Sequence, residues 1–130
     1  MIQLRGLHPF LREAAEEAVR WARSHGVEPR ITSVRRTWAD QSQLYEKYLS
    51  CKARGLYPWA PGCRYPANPP GWSGHEYGLA WDSTVPEAYL GWWVAVREAL
   101  GFLVPAGDEI HAEHPETQDY VRFVNEQRFG

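Results

Sequence analysis

The sequence predicts an α+β fold, a single domain in which a small antiparallel sheet is flanked by helices, and three observations carry that reading. The chain has 130 residues, the size of one hydrophobic core. Stretches with apolar residues at helical spacing alternate with short β-branched or apolar runs. Two of those runs, Phe102-Leu103-Val104 and Ile110 to Glu113, flank a turn at Pro105-Ala106-Gly107, which makes them antiparallel neighbours.

Each element follows from its own residues. From Pro9 to His25, Leu11, Ala14, Ala15, Ala18 and Ala22 recur on one helical face. Proline suits the first turn, where its missing N–H costs nothing, and Gly26 supplies a stop. Ile31-Thr32-Ser33-Val34 is a β-branched strand candidate. Thr37 has Asp40 three residues on, the pattern in which hydroxyl and carboxylate cap each other's backbone N–H, and Leu44, Tyr45, Tyr48 and Leu49 continue a helix behind it. Between Ser50 and Trp72 five prolines and three glycines break every periodicity. An irregular run of that length in a small domain marks a functional loop. Leu79 to Val85 reads as a strand, Glu87 to Leu100 as a helix ended by Gly101, and Pro115 opens a last helix through Tyr120, Val121 and Val124. No repeat, low-complexity tract or domain boundary interrupts this order, so residues 1–130 are expected to form one domain.

Composition excludes several partners. Fourteen Lys and Arg against 16 Asp and Glu leave a formal charge of −2, too little positive field for nucleic acid or an anionic lipid surface. The N-terminal MIQLRGLHPFLREAAEE places Arg5, His8, Arg12 and three Glu where a secretory signal needs an unbroken apolar stretch. No apolar run approaches the ~20 residues of a membrane span. The expectation is a chain with neither. Seven Trp, 7 Tyr and 4 Phe in a sequence that is 44% hydrophobic describe an ordered, aromatic-rich domain. Cys51 and Cys63 bracket 11 residues that one disulfide could close. Two cysteines without an export signal make a reduced pair an equal alternative, and the spacing lacks the short bite of a zinc module.

Chemistry concentrates in three segments. His75 and Asp82 lie seven positions apart with Gly78 between them, flanked by Gly74. On a straight strand such residues face opposite sides, so both reach one metal only where the glycines bend the chain. Asp108-Glu109-Ile110-His111-Ala112-Glu113-His114 is dense in ligands and bases and follows a glycine turn, without the H-E-x-x-H helix of the commonest zinc peptidases. Arg35-Arg36 follows the first strand directly. Taken singly, the His75–Asp82 pair reads as a chance spacing across a turn and Arg35-Arg36 as a surface charge pair, while the 108–114 cluster reads either as a site or as a solvated acidic turn.

Taken in order, the three resemble the motifs of peptidase family M15, the D-Ala-D-Ala carboxypeptidase and endolysin superfamily of zinc peptidases. Ser33 to Tyr45 is similar to that family's S-x-x-R-[ST]-x-x-x-Q-x-x-L-Y segment, Pro69 to Asp82 to its P-P-G-x-S-x-H-x-x-G-x-A-x-D signature, and Asp108 to Glu113 to its [DE]-x-x-H-x-E ending. The resemblance implies a hedgehog/DD-peptidase-like fold and one zinc ion per chain on His75, Asp82 and His111. Two nitrogens and one oxygen suit zinc and leave its fourth position to water, the arrangement of metal-assisted hydrolysis. It further implies Asp108 as general base, with Glu109 next to it as the alternative. Arg36 would hold or polarise substrate, and Ser73 and Glu113 would orient the ligands. His114 competes with His111 as a ligand. The insert from Cys51 to Asn68 has no counterpart in the motifs, and its Tyr57, Trp59 and Tyr65 read either as packed loop or as a stacking surface for sugar or peptide.

The function implied is hydrolysis of peptide bonds in bacterial peptidoglycan stem peptides, either the D-Ala-D-Ala carboxypeptidase or the L-Ala-D-Glu endolysin type. The chain would be made in the cytoplasm and act at the cell wall, and the small size fits a phage-encoded enzyme. Two rivals stand beside it: a zinc-containing binding module of the same fold without catalysis, and a serine hydrolase built on Ser73, His75 and Asp82, which lacks a G-x-S-x-G elbow.

Overall fold

The computed structural model describes residues 2–129. After a 3-10 turn at Ile2–Gly6 come α1 (Pro9–Ser24), β1 (Arg30–Ser33) and α2 (Trp38–Ala53). An irregular stretch then ends in a 3-10 turn at Gly74–Tyr77 and leads to β2 (Ala80–Thr84). A 3-10 turn at Glu87–Tyr89 opens α3 (Leu90–Ala99), followed by β3 (His111–Glu113) and α4 (Thr117–Phe129). The strands form one antiparallel sheet in the order β1-β2-β3, the α+β architecture expected from the sequence. Among the described residues no helix is long and apolar enough to cross a membrane.

The core lies on one side of the sheet. α1 buries Leu11, Ala15, Ala18, Val19 and Ala22 and packs against α3. Trp81 of β2 meets Trp93 of α3 edge to face at 6.1 Å and Phe102 at 5.5 Å. Such ring geometry is worth about 0.5–1.5 kcal/mol per pair beyond burial. Successive strand residues face opposite sides. Trp81 and Ser83 therefore point at the core, where Trp93 Nε1 donates to Ser83 Oγ at 2.9 Å. Asp82 is left to the other face.

Register then decides what surrounds Asp82. It pairs with His111 across β2–β3 and with Ser33 across β2–β1, where the register shifts between Ile31 and Ser33. An irregularity of this kind twists a strand and re-aims its side chains. Here it lies just before Arg36.

α2 contributes a wall more than a core. Its start carries the reciprocal cap expected from Thr37 and Asp40, each side chain accepting from the other's backbone N–H at 3.1 Å. Only Gln41 and Cys51 are buried along it. Its end is tied to the following loop by a Cys51–Cys63 disulfide, which decides between the two states left open by the sequence.

The structure corrects three boundaries. Helical hydrogen bonding carries α2 to Ala53, so the irregular segment begins at Arg54. The expected strand at residues 102–104 is a single bridge, Leu103 to Glu113, closed by N–H···O bonds of 2.8 and 3.0 Å. Pro105 has no N–H with which to extend that ladder. The last helix starts at Thr117 because Thr117 N–H and Oγ1 both donate to the His114 carbonyl, closing a turn around Pro115 first.

Candidate metal centre

A tight reversal supplies the first two functional side chains. Ser73 Oγ accepts from the His75 N–H at 3.3 Å, and Glu76 accepts from the N–H groups of Ser73 and Gly71. This double cap starts the 3-10 turn. Gly78 ends it at φ +71°, a conformation costly for residues with a Cβ. Its carbonyl accepts from His8 N–H at 2.9 Å. The bend that the glycines permit thus brings His75 back over Asp82.

Three ligand atoms converge. His75 Nε2 lies 3.2 Å from Asp82 Oδ1 and 3.2 Å from His111 Nδ1, and His111 Nδ1 lies 3.1 Å from Asp82 Oδ1. The opposite ring nitrogens are committed elsewhere. His75 Nδ1–H donates to the Val34 carbonyl at 2.7 Å, and His111 Nε2–H donates to Glu113 Oε1 at 2.7 Å. Gln118 in turn donates to both oxygens of Glu113. Both partners are pure acceptors, so the tautomers they select turn the remaining imidazole lone pairs toward Asp82.

This donor set fits zinc. Ligands at 2.0–2.1 Å in tetrahedral array are about 3.3–3.4 Å apart, close to the observed edges of 3.1–3.2 Å. Outer hydrogen bonds to both imidazoles are the usual support of metal-binding histidines.

Electrostatics calls for positive charge at this point. Burial disfavours the His111 imidazolium, but Asp82 and Glu113 on its two nitrogens outweigh that and raise its pKa to about 9. Burial alone would raise Asp82, yet His111 and His75 bring it well below the ordinary carboxylate range. Burial also lowers the pKa of His75. A proton on His111 Nδ1 answers one edge of the triangle; a divalent cation answers all three while displacing that proton.

Arg36 closes the other side of Asp82. Its Nη2 donates to Asp82 Oδ2 at 2.9 Å, its Nε to Ser33 Oγ at 2.9 Å and its Nη1 to Gln41 Oε1 at 3.2 Å. Gln41 is fixed in turn by donating to the Asn68 carbonyl at 2.8 Å. Three of the five guanidinium N–H groups are used, which leaves two for a ligand in the cleft.

His75, Asp82, His111, Arg36, Asp108, Ser73 and Glu113 all line one cleft of about 690 Å³. Burial pushes the Asp108 carboxyl up to about 6. The alternatives go elsewhere. Glu109 turns back to accept from the Gly107 N–H, and His114 Nδ1 accepts from the Glu116 N–H. Ser73 Oγ meets the His75 backbone, while the His75 imidazole is engaged by Val34, Asp82 and His111, so the serine-hydrolase arrangement is absent. Of the insert's aromatics only Tyr65 lines the cleft; Tyr57 packs edge-on against Tyr48, and Trp59 is 78% exposed.

Sequence reasoning did not single out Arg97. This fully buried arginine of α3 donates to the carbonyls of Glu109 at 2.5 Å and Ile110 at 3.3 Å, the two peptides between Asp108 and His111. Its signal in the sequence was a cation four residues after Trp93, over whose ring it lies at 5.2 Å. Ser33, Gln41 and Gln118 were likewise not given roles, although Ser33 and Gln41 fall within the first motif.

No protein-family model matches the sequence. No curated protein matches it either. Solved structures do match. A vancomycin resistance D,D-pentapeptidase VanY from a VanB-type cassette, in complex with Zn(II), superposes with a TM-score of 0.66 at 18% identity, over 94% of this chain and 79% of that one. VanYB in complex with D-alanine-D-alanine gives 0.67 at 19% identity, over 94% and 78%. The LD-carboxypeptidase LdcB gives 0.62 at 20%, over 95% and 76%. The chain therefore has the fold of these D,D-pentapeptidase and LD-carboxypeptidase structures, and carries a His-Asp-His group of metal-binding geometry.

Proposed function

We propose that this chain is a zinc-dependent carboxypeptidase that removes a C-terminal D-residue from peptidoglycan stem peptides at the bacterial cell wall. One observation carries the reading: three lone-pair donors within 3.2 Å of one another share a cleft with a carboxyl group and a guanidinium that retains free N–H groups. A binding module has no need of that combination.

His75, Asp82 and His111 would hold the ion. Zinc bound there supplies Lewis acidity and a water activated near neutral pH. The chain's own groups perform the rest. Asp108 accepts the proton of the attacking water on its carboxylate and returns it to the leaving amine, the two transfers that amide hydrolysis requires. The free N–H groups of Arg36 donate to the oxygen that gains charge as the carbonyl is attacked. Glu113 fixes the orientation of His111, and Ser73 that of the turn bearing His75. The carboxypeptidase bond is supported by a D,D-pentapeptidase, solved with D-alanine-D-alanine, and an LD-carboxypeptidase that share the fold over 94–95% of this chain.

The test is digestion of purified peptidoglycan by the zinc-loaded protein, with mass analysis of soluble products. Release of free D-alanine that stops on adding a chelator supports the proposal. Release of fragments cut between L-Ala and D-Glu replaces the bond assignment, and no release overturns the enzyme reading.

A further inference from the structure

The near-neutral total charge conceals a polarised cleft. Lys47, Lys52, Arg54 and Arg64 fall within residues 47–75, a stretch that contains no Asp or Glu. The rest of the chain then holds 10 cations against 16 acids. The basic stretch forms one wall of the cleft, which Lys47, Tyr48, Arg64 and Tyr65 line, while Asp82, Asp108 and Glu113 line it at the metal centre.

The wall is held in place by the cross-link. Lys47 sits one helical turn before Cys51, and Arg64 follows Cys63 directly, so the Cys51–Cys63 disulfide ties both cations to the same junction of α2 and loop. The Lys47 ammonium lies beside the Gly62 backbone, since a methyl group on Gly62 would fall 3.5 Å from Nζ. Lys52, 5.2 Å from the Tyr48 ring centroid, adds to the local field. Among the described residues neither Lys47 nor Arg64 is in an ion pair, whereas Arg36 is neutralised by Asp82. Gathered cations without a counter-charge, facing a cleft, favour an anion there.

We propose that Lys47 and Arg64 form a carboxylate-binding subsite, so that the preferred substrate is an acidic peptide whose free carboxylate reaches this wall while its scissile bond lies at the metal centre. A guanidinium, an ammonium and two tyrosines lining the same cleft match a carboxylate flanked by peptide. The inference rests on the peptidase reading for its substrate. The carboxylate has two sources in a stem peptide, the chain terminus and the α-carboxyl group of the D-Glu residue, and amidating one at a time separates them.

The probe is the tetrapeptide L-Ala-γ-D-Glu-L-Lys-D-Ala, its C-terminal amide, and its D-isoglutamine analogue, assayed with wild type and with Lys47→Gln, Arg64→Gln and the double variant. Wild type is expected to favour the free acid over one of the two amides by about 10- to 100-fold in kcat/KM. The double variant is expected to bring that ratio to within threefold of one, through KM. The amide that removes the preference identifies the source. Should wild type cleave none of these tetrapeptides, cleavage of an L,D bond is excluded and the subsite is decided by calorimetric binding of the same three peptides. Tighter binding of the acid, lost in the double variant, supports it. An acid-to-amide ratio that the substitutions leave unchanged, in turnover or in binding, overturns it.

Discussion

Replacing Gly78 by alanine asks whether the reversal that brings His75 over Asp82 is a backbone requirement. Two costs are expected. Gly78 has φ +71°, and holding an L-residue in that region costs about 1–2 kcal/mol. Its Cβ would also fall 2.8 Å from the Gly6 carbonyl oxygen and 3.0 Å from Arg35 Nη1. The arginine can move aside but the carbonyl belongs to backbone, and forcing a methyl group into such a contact costs roughly 1–3 kcal/mol. Gly26 is the internal control, with φ +79° and nothing within 4 Å of its Cβ position, so Gly26→Ala meets only the first cost. At about 2.1 cal/mol/K of unfolding entropy per residue, 1 kcal/mol lowers Tm by roughly 4 °C in a domain of this size. Gly26→Ala should then lose about 4–7 °C and Gly78→Ala about 7–18 °C. The measurement is thermal unfolding followed by circular dichroism in the presence of a chelator, which separates folding from metal binding. If the two variants melt within 2 °C of each other, the close approach to Gly6 contributes nothing and the reasoning is wrong.

Other substitutions separate the roles at the centre. Asp108→Asn should retain zinc, read by metal analysis, while kcat falls about 100-fold or more, because a proton carrier is lost and no ligand is; full activity would shift the role to Glu109. Glu113→Gln removes the charge that orients His111, and a competition titration should find zinc affinity reduced about 10- to 100-fold, with one ion per chain still bound at saturation. His75→Ala should leave less than one zinc per chain after dialysis, and an unchanged content would dismiss the centre. Arg97→Met deprives two backbone carbonyls of a buried cation and should cost about 3–5 kcal/mol in urea unfolding; a loss below 1 kcal/mol would show that the Glu109–Ile110 peptides do not depend on it.

What was legible in the sequence was local. Helix starts and stops depend on nearest neighbours, so Pro9 with Gly26 marked both ends of α1, and Thr37 with Asp40 the start of α2, to within a residue or two. The candidate members of the site came from the resemblance of the three motifs to a zinc-peptidase family, not from spacing alone. Asp82 opposite His111 and one bend from His75 is a pattern in chain order before it is one in space. What was not legible depends on the partner that wins. Arg36 offered its guanidinium to substrate in the sequence, but Asp82 Oδ2 takes part of it. The run at residues 102–104 had strand residues yet forms one bridge, since its neighbour Pro105 ends the ladder. Arg97 stayed invisible because a buried cation satisfied by carbonyls has no sequence signature beyond a charge in the last turn of a mostly apolar helix, beside the acidic Glu98.

The two halves of the cleft are therefore built on different physics. The metal side rests on the sheet, where Trp81, Trp93 and Phe102 pack behind β2 and Arg97 fastens the turn before His111. Displacing one of the three side chains there requires breaking core contacts, so the geometry of the His75, Asp82 and His111 triangle is set by folding itself. The opposite wall has few buried residues. α2 buries only Gln41 and Cys51, and the loop after it is anchored by the disulfide and by Gln41 donating to the Asn68 carbonyl. None of the three side chains of the triangle comes from that wall, so under the proposed function substrate preference can be altered there separately from the hydrolytic step. Gln41 touches both sides, because the same amide that holds Asn68 accepts from Arg36. Two hydrogen bonds thereby connect the wall at Asn68 to the guanidinium beside Asp82.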